Sequence, residues 1–130
     1  MTHQMIMGTR VARLGANVER KIMRHYLGRI FATVIANILK IRIYDSQCGA
    51  KLIHAGIVRE IFDKPFISRW FFDVEVLFRL LRNRESECSL PEILEVPLRT
   101  WREIGGSKLK LSDFIKAPLE LWRINRHYTR

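Results

Sequence analysis

The chain has 130 residues, of which 48% are hydrophobic, so it forms one domain or part of one and is not disordered. It carries 23 lysines and arginines against 13 acidic residues, and this net charge of +10 indicates an anionic partner such as a nucleic acid, a membrane surface or a phosphorylated small molecule. No apolar run reaches the ~18 residues that span a bilayer, and the start does not have the pattern of a secretory signal. Cys48 and Cys88 lack metal-site spacing, so we expect reduced thiols in a cytoplasmic protein.

The first predicted elements are a short strand at residues 4–7, which ends at Gly8, and a polar loop over residues 11–18. A long helix follows, because apolar residues recur every four positions in two adjacent rows. One row is Ile22, Tyr26, Ile30, Val34 and Ile38, and the other is Met23, Leu27, Phe31 and Ile35. We expect these rows to form one wide apolar face with basic residues at its start. Such a face packs into a core or lies at a membrane interface.

The stretch from Tyr44 to Ile53 has the composition of a pocket floor. Polar residues come first and small residues follow, in the order Asp45, Ser46, Gln47, Cys48, Gly49 and Ala50. Small residues let a ligand approach the backbone, and the polar groups supply hydrogen-bond partners. A tight turn that enters a short strand is the alternative that this stretch leaves open. A strand is predicted from about Gly49, and a short helix is predicted over residues 56–62.

A further helix is predicted over residues 70–83, with Asp73 in its first turn and with Glu75 and Arg79 spaced as a surface ion pair. The residues that give its apolar period are Val74, Leu77, Phe78 and Leu81. A half-buried strand follows, with Leu94, Val96 and Leu98 alternating with polar residues or proline, and Pro97 predicts an edge strand. A final helix begins near Ser112, its expected cap, and Pro118 either kinks it or starts another helix.

Four blocks of sequence, in this order, resemble the inverting family 2 glycosyltransferases. The likeness is to the branch similar to dolichyl-phosphate β-glucosyltransferase and its bacterial relatives. The blocks are Gly8 to Arg10, Asp45 to Lys51, Trp70 to Glu75 and Trp101 to Leu109. The resemblance implies an α/β fold that is the C-terminal part of a GT-A domain, with a short mixed sheet and flanking helices in one partial domain over residues 1–130. It also implies a hexosyltransferase that passes a hexose from a nucleotide diphosphate sugar to an acceptor such as polyprenyl phosphate.

The same resemblance implies roles for individual residues. The acceptor phosphate would be bound by Arg10, Arg20 and Arg24. Asp73 would face the attacking oxygen, as a general base toward a hydroxyl acceptor or as a positioning group toward a phosphate acceptor, which is already ionised. The sugar and diphosphate pocket would be lined by Asp45, Gln47, Gly49, Lys51 and Trp70. Ser107 and Lys108 would belong to a mobile loop that orders when substrate binds.

One family feature is absent from the sequence, which contains no Asp-x-Asp pair. Its aspartates are Asp45, Asp63, Asp73 and Asp113. Family members hold the nucleotide sugar through a divalent Mg or Mn ion bound by that motif. We therefore expect the nucleotide-binding half to be missing and the isolated chain to be inactive, either as a truncated reading frame or as a partner of a separately encoded N-terminal half.

Two other interpretations stay open. The first is a small basic nucleic-acid-binding protein, which ranks lower because the aromatic residues lie mostly at core-spaced positions. The second is a non-catalytic, membrane-associated remnant. For the glycosyltransferase interpretation, the expected location is the cytoplasm, with peripheral contact at the inner face of the membrane.

Overall fold

The structure is a computed structural model, and it describes residues 3–82, 93–104 and 110–130. Within these ranges the elements form an α/β fold, as predicted. The strands are β1 (Met5–Thr9), β2 (Asn17–Glu19), β3 (Lys51–Ile53), β4 (Ile93–Pro97) and β5 (Thr100–Arg102). The helices are α1 (Ile22–Leu39), α2 (Ala55–Ile61), α3 (Phe72–Arg82) and α4 (Leu111–Tyr128).

The main sheet is short and mixed, which confirms the prediction. Its order is β3–β1–β4, with β1 antiparallel to β3 and parallel to β4. The central strand buries Met5 and Met7 completely. A glycine is needed at residue 8, which lies in β1, because side chains of neighbouring segments lie close to its backbone. A Cβ atom at this position would lie 3.1 Å from the Cβ of Ala50 and 3.0 Å from Leu98 Cδ2.

The apolar side chains that were predicted to be buried in β4 lie on the face that does not pack against the core. Ile93 packs against the core and Glu95 is half-buried, whereas Leu94 and Val96 are exposed. Alternation predicts that a strand has two different faces, but it does not say which face meets the core. Pro97 ends β4, which is an edge strand of the described sheet, as predicted.

The segment over residues 11–18, predicted to be loop throughout, leads into a strand. β2 pairs in parallel with β5, and Val18 lies opposite Trp101. Three residues are too few to show a period of two, so the pairing depends on a segment far away in the chain. This small second sheet brings the start of α1 close to residues 101–104.

Helix α3 lies at the centre of the core and contacts α1, α2 and α4. Three residues of its predicted apolar period, Val74, Leu77 and Phe78, are buried, and Leu81 packs against the same cluster. The cluster also contains Met5 and Met7, so one face of the sheet supports the helices.

Helix α1 forms as predicted, but its wide apolar face is only partly buried. Ala32, Ile35 and Leu39 are in the core. A second set of residues forms an apolar stripe, with exposed fractions of 76, 76, 65, 60 and 41% for Ile22, Met23, Tyr26, Ile30 and Val34. At 100° per residue this stripe lies on the side of α1 opposite to Ala32, Ile35 and Leu39, so it faces away from the core. No helix in the described ranges has the length and apolar character needed to cross a membrane.

Helix α4 differs from its prediction at two points. It runs through Pro118 as one helix, so a new helix does not start there. Its N-cap is Lys110, whose N–H donates to Asp113 Oδ2 at 2.8 Å, and Ser112 is not the cap. Asp113 lies in the first turn, as predicted, and it closes the N-terminus by accepting this hydrogen bond.

The predicted surface ion pair of Glu75 with Arg79 is wrong, because Glu75 is completely buried. Its carboxylate accepts the N–H groups of Ile67 at 3.0 Å and Ser68 at 2.7 Å, and the Tyr128 hydroxyl at 2.9 Å. Arg79 Nε donates to the same hydroxyl at 2.9 Å. The other Arg79 nitrogens donate to the carbonyls of Ile61, Lys64 and Pro65. Tyr128 therefore joins α4 to α3 through a buried polar network.

We expect Tyr128→Phe to lower the free energy of unfolding by about 1–3 kcal/mol, because Glu75 and Arg79 lose their shared partner. Burial, together with the hydrogen bond to Glu75, raises the pKa of Tyr128 above its usual value of 10.0. The stabilisation is therefore present below pH ~10 and is lost as the pH rises through the higher folded pKa. Urea unfolding between about pH 8 and pH 11 measures this, with the exposed Tyr26→Phe as control. If the free energy of unfolding changed equally with pH in wild type and in Tyr128→Phe, this result would contradict the network.

Candidate functional site

A cleft of about 550 Å³ lies where the end of β1, α1, the loop after α1 and the starts of α3 and α4 meet. Its described lining contains six arginines and four carboxylates, so it carries an excess of positive charge. The arginines are Arg10, Arg20, Arg24, Arg29, Arg69 and Arg102, and the carboxylates are those of Asp45, Asp73, Glu103 and Asp113. The overall basic charge is therefore concentrated partly in one concave site.

Arg10 follows β1 and forms a two-point ion pair with Asp45. The distances are 2.7 Å for Nε–Oδ2 and 2.8 Å for Nη2–Oδ1, and the backbone N–H of Arg10 also donates to Oδ2 at 3.1 Å. Burial raises the pKa of Asp45, but the hydrogen bonds and charge of Arg10 outweigh burial and hold that pKa below its usual value. The Arg10 guanidinium lies 5.4 Å from the centre of the Trp101 ring. Asp45 thus lines the cleft as the partner that orients Arg10.

Glu95, which the sequence did not predict as a site residue, holds the loop that carries Asp45. Its carboxylate accepts the N–H of Tyr44 at 2.9 and 3.0 Å and the N–H of Asp45 at 3.0 Å. Arg29 donates to the Tyr44 carbonyl at 2.8 Å, and its guanidinium lies 3.8 Å from the centre of the Tyr44 ring. The alternation of β4 predicts Glu95 on the solvent face, so no signal in the sequence indicates this role.

Asp73 and Lys51, two of the predicted site residues, form an ion pair. Asp73 begins the first turn of α3, and its Oδ1 lies 2.9 Å from Lys51 Nζ. Lys51 also donates to the Cys48 carbonyl. Asp73 lines the cleft, whereas Lys51 is not among the lining residues. A carboxylate that is already held by an ammonium is better arranged to position a group than to act as a free base.

The predicted phosphate ligands Arg20 and Arg24 both line the cleft, but they differ in their partners. Arg24 pairs with Glu103. Arg20 has no hydrogen bond or ion pair within the described ranges, and its guanidinium lies beside Gly28, where an added Cβ would be 3.2 Å from Nη2. Burial and the nearby positive charge of Arg10 lower the pKa of Arg20. A bound anion would offset both effects.

The remaining predicted site residues are distributed as follows. Gln47 and Trp70 line the cleft, and Gly49 does not. Ser107 and Lys108 lie outside the described residues. Ser46, which was not predicted as a site residue, also lines the cleft, and its buried Oγ has no hydrogen-bond partner in the described part of the chain.

The described residues do not fit a divalent metal ion. In the part of the chain that the structure describes, no group of three or more His, Cys, Asp or Glu side chains could hold one. The carboxylates of Asp45 and Asp73 are paired with Arg10 and Lys51, and these cations would repel a metal ion. The Mg or Mn that the resemblance implies therefore has no binding group here.

No protein-family model matches the chain, and no solved structure matches it. Among curated proteins, it is 35% identical over 120 residues to a dolichyl-phosphate β-glucosyltransferase of Trichomonas vaginalis, covering 92% of this chain and 34% of that protein. It is 36% identical over 115 residues to the dolichyl-phosphate β-glucosyltransferase of Saccharomyces cerevisiae, covering 87% and 32%. It is 34% identical over 111 residues to that of Dictyostelium discoideum, covering 85% and 32%.

These matches show first that the chain is related to glycosyltransferases, as the four sequence blocks predict. They show more particularly that its relatives are the dolichyl-phosphate β-glucosyltransferases, which are family 2 glycosyltransferases. The chain spans about one third of the length of the relatives described above. The alternative interpretation as a nucleic-acid-binding protein is not favoured by these relatives.

We expect Asp45→Asn to lower the free energy of unfolding by about 1–3 kcal/mol at neutral pH, because Arg10 loses its charged partner in a largely buried site. The folded pKa of Asp45 lies below its usual value of 3.8. The stabilisation is therefore present above pH ~3.8 and is lost as the pH falls through the lower folded pKa. Urea unfolding at pH ~7 and pH ~3 should show a smaller difference between wild type and variant at the lower pH. The exposed Asp63→Asn is the control, and a difference independent of pH would contradict the assignment.

Proposed function

We propose that this chain supplies the acceptor side of an active site that transfers a glucosyl group to a polyprenyl phosphate such as dolichyl phosphate. The main observation in its favour is the arginine-lined cleft, in which the Arg20 guanidinium has no described protein partner. The names of the relatives supply the substrate class: they are dolichyl-phosphate β-glucosyltransferases. A phosphate monoester matches the need of such a cleft for an anion, because its oxygens accept several hydrogen bonds from guanidinium groups.

In this proposal the acceptor phosphate binds between Arg20 and Arg10, with Arg24 at the edge. Arg10 is held by Asp45, so its guanidinium is oriented before the ligand arrives. Burial lowers the pKa of Arg20 most, and repulsion from Arg10 lowers that pKa further. A phosphate between the two guanidinium groups would be attracted to both. Arg24 would exchange or share its partner Glu103.

The expected roles of the sugar-side residues remain part of the proposal. A phosphate acceptor carries its own negative oxygen, so the attack requires no general base. Asp73 would then position Lys51, to which it is paired at 2.9 Å. Gln47 and Trp70 line the same cleft and would contact the sugar, and Asp45 would act through Arg10.

We infer further that the described sheet is part of a larger GT-A domain. The side chains of Ile6, Leu52 and Leu94 are in register across the three strands, and Val96 lies opposite Gly8 on the same face. Leu52 is 64% exposed, Leu94 and Val96 are also exposed, and Ile6 is half-buried, so this apolar face is only partly covered in the described structure. The relatives are about three times as long as the chain. The remaining part, in the same polypeptide or a separately encoded half, would cover the face and bring the nucleotide sugar and any metal ion.

The phosphate-binding part of the proposal is tested with a water-soluble, short-chain polyprenyl monophosphate. We expect Arg20→Ala to weaken its binding to the chain about tenfold or more, since one charge-assisted hydrogen bond contributes ~1.5–3 kcal/mol. Isothermal titration calorimetry measures the affinity. The matched control is Arg59→Ala, which removes an exposed arginine of α2 outside the cleft. Titration with the corresponding polyprenyl alcohol shows how much of the affinity is due to the phosphate group. Equal weakening by both variants would argue against the cleft.

We also propose that the apolar stripe of α1 contacts the membrane that contains the lipid acceptor. The stripe is exposed, and basic residues at the start of α1 accompany it. Helix α4 exposes apolar side chains as well: Ile115, Leu119 and Trp122. An apolar face with a cationic border is the pattern of a helix that lies in an anionic lipid surface.

Vesicle co-sedimentation tests this contact. We expect Ile30→Asp to reduce binding to anionic phospholipid vesicles severalfold, because a charge replaces an apolar group that enters the lipid. Asn37→Asp is the control, since it adds the same charge at an exposed polar position of α1. Binding should also weaken with salt and be lower for zwitterionic vesicles. Identical sedimentation of the two variants would show that the stripe has another partner.

A further inference from the structure

Ser46 buries a hydroxyl group that has no protein partner in the described ranges. The residue is 2% exposed, and its Oγ makes no hydrogen bond there. Ser68, which is also buried, shows the usual arrangement: its Oγ accepts the N–H of Phe71 at 2.9 Å and donates to Glu120 at 2.5 Å. A buried polar group without a partner destabilises the folded state, so Ser46 requires an explanation.

The position of Ser46 indicates that a partner for its hydroxyl would lie in the cleft. Ser46 lines the cleft between Asp45 and Gln47. Its backbone cannot shift easily, because Glu95 binds the N–H groups of the two preceding residues and Arg10 binds the Asp45 side chain. The hydroxyl itself can still turn, since rotation about the Cα–Cβ bond of a serine gives three staggered positions.

We propose that the Ser46 hydroxyl is a ligand-binding group of the cleft and forms a hydrogen bond with an oxygen of the bound substrate. The inference rests on the proposed function and adds a residue to it. A serine hydroxyl donates one hydrogen bond and accepts others, so it can bind either a phosphate oxygen or a sugar hydroxyl. Both chemistries occur in a substrate pair of a polyprenyl phosphate and a hexose, and the ligand supplies a partner that the hydroxyl does not have among the described residues.

This role has a consequence that a purely structural serine does not have. Ser46→Ala removes the unpaired hydroxyl and keeps the Cβ, so the ligand-free protein should unfold at the same temperature as wild type or at a higher one. The same substitution should weaken substrate binding, because the bound ligand loses a hydrogen bond. Stability and affinity would therefore change in different directions.

The experiment measures both quantities on the full chain. Thermal unfolding without ligand compares wild type, Ser46→Ala and Ser68→Ala, and we expect only Ser68→Ala to lower Tm. Calorimetric titration then uses two probes, a short-chain polyprenyl monophosphate and glucose, which distinguish the two oxygen sources. We expect Ser46→Ala to weaken binding of one probe roughly two- to tenfold, as the loss of one neutral hydrogen bond predicts. The exposed Ser112→Ala should leave both affinities unchanged.

The results of these measurements distinguish a failure of this inference from a failure of the proposed function. A lower Tm for Ser46→Ala, comparable with that of Ser68→Ala, would show that the hydroxyl already has a partner and would overturn the inference. If wild type bound a probe and Ser46→Ala had the same affinity as wild type for both probes, the inference would also be overturned, while the proposed function would stand. If wild type bound neither probe, the proposed function would fail and the inference with it.

Discussion

The ion pair between Arg10 and Asp45 determines the geometry of the cleft, because it joins the end of β1 to the loop after α1. Both ends of the pair are themselves held. The Arg10 backbone N–H donates to the same carboxylate, and Glu95 binds the N–H of Asp45 from the neighbouring strand β4. Asp45 therefore joins three segments that are distant in sequence, and the Arg10 guanidinium is oriented before any ligand enters the cleft.

The distribution of partners among the cleft arginines gives the site its chemical character. Arg10 and Arg24 are paired with carboxylates, and Arg29 donates to a backbone carbonyl and stacks on an aromatic ring. Arg20 lacks a comparable partner in the described ranges. Arg69, which also lines the cleft, likewise has no hydrogen bond or ion pair among the described residues. Oriented arginines beside cations of this kind favour an anionic ligand over a neutral one. The pairing of Asp73 with Lys51 and of Asp45 with Arg10 leaves these two carboxylates little affinity for a metal ion, and the proposed phosphate ligand does not require one there.

Two apolar surfaces are exposed in the described structure. Leu52, Leu94 and Val96 are exposed on one face of the three-stranded sheet, and the apolar stripe of α1 lies on the side of that helix opposite to its buried residues. Burial of apolar area is the main favourable contribution to folding, so surfaces of this kind indicate further partners. The sheet face suits the rest of a longer domain, and the α1 stripe with its basic start suits a lipid surface.

The sequence by itself determined the class of the fold, the positions of α1 and α3, and the relationship to the dolichyl-phosphate β-glucosyltransferases. Helical periodicity and short motifs depend on neighbouring residues, so they can be recognised without knowledge of the fold. The tertiary structure alone decided which face of β4 is buried, that β2 pairs with β5, and that Glu75 binds Tyr128 instead of forming a surface pair with Arg79. It also decided that Arg20 has no carboxylate partner among the described residues, that Ser46 lines the cleft, and that Glu95 holds the loop that carries Asp45. These features arise from contacts between residues far apart in the chain, and local spacing contains no information about which distant groups will meet.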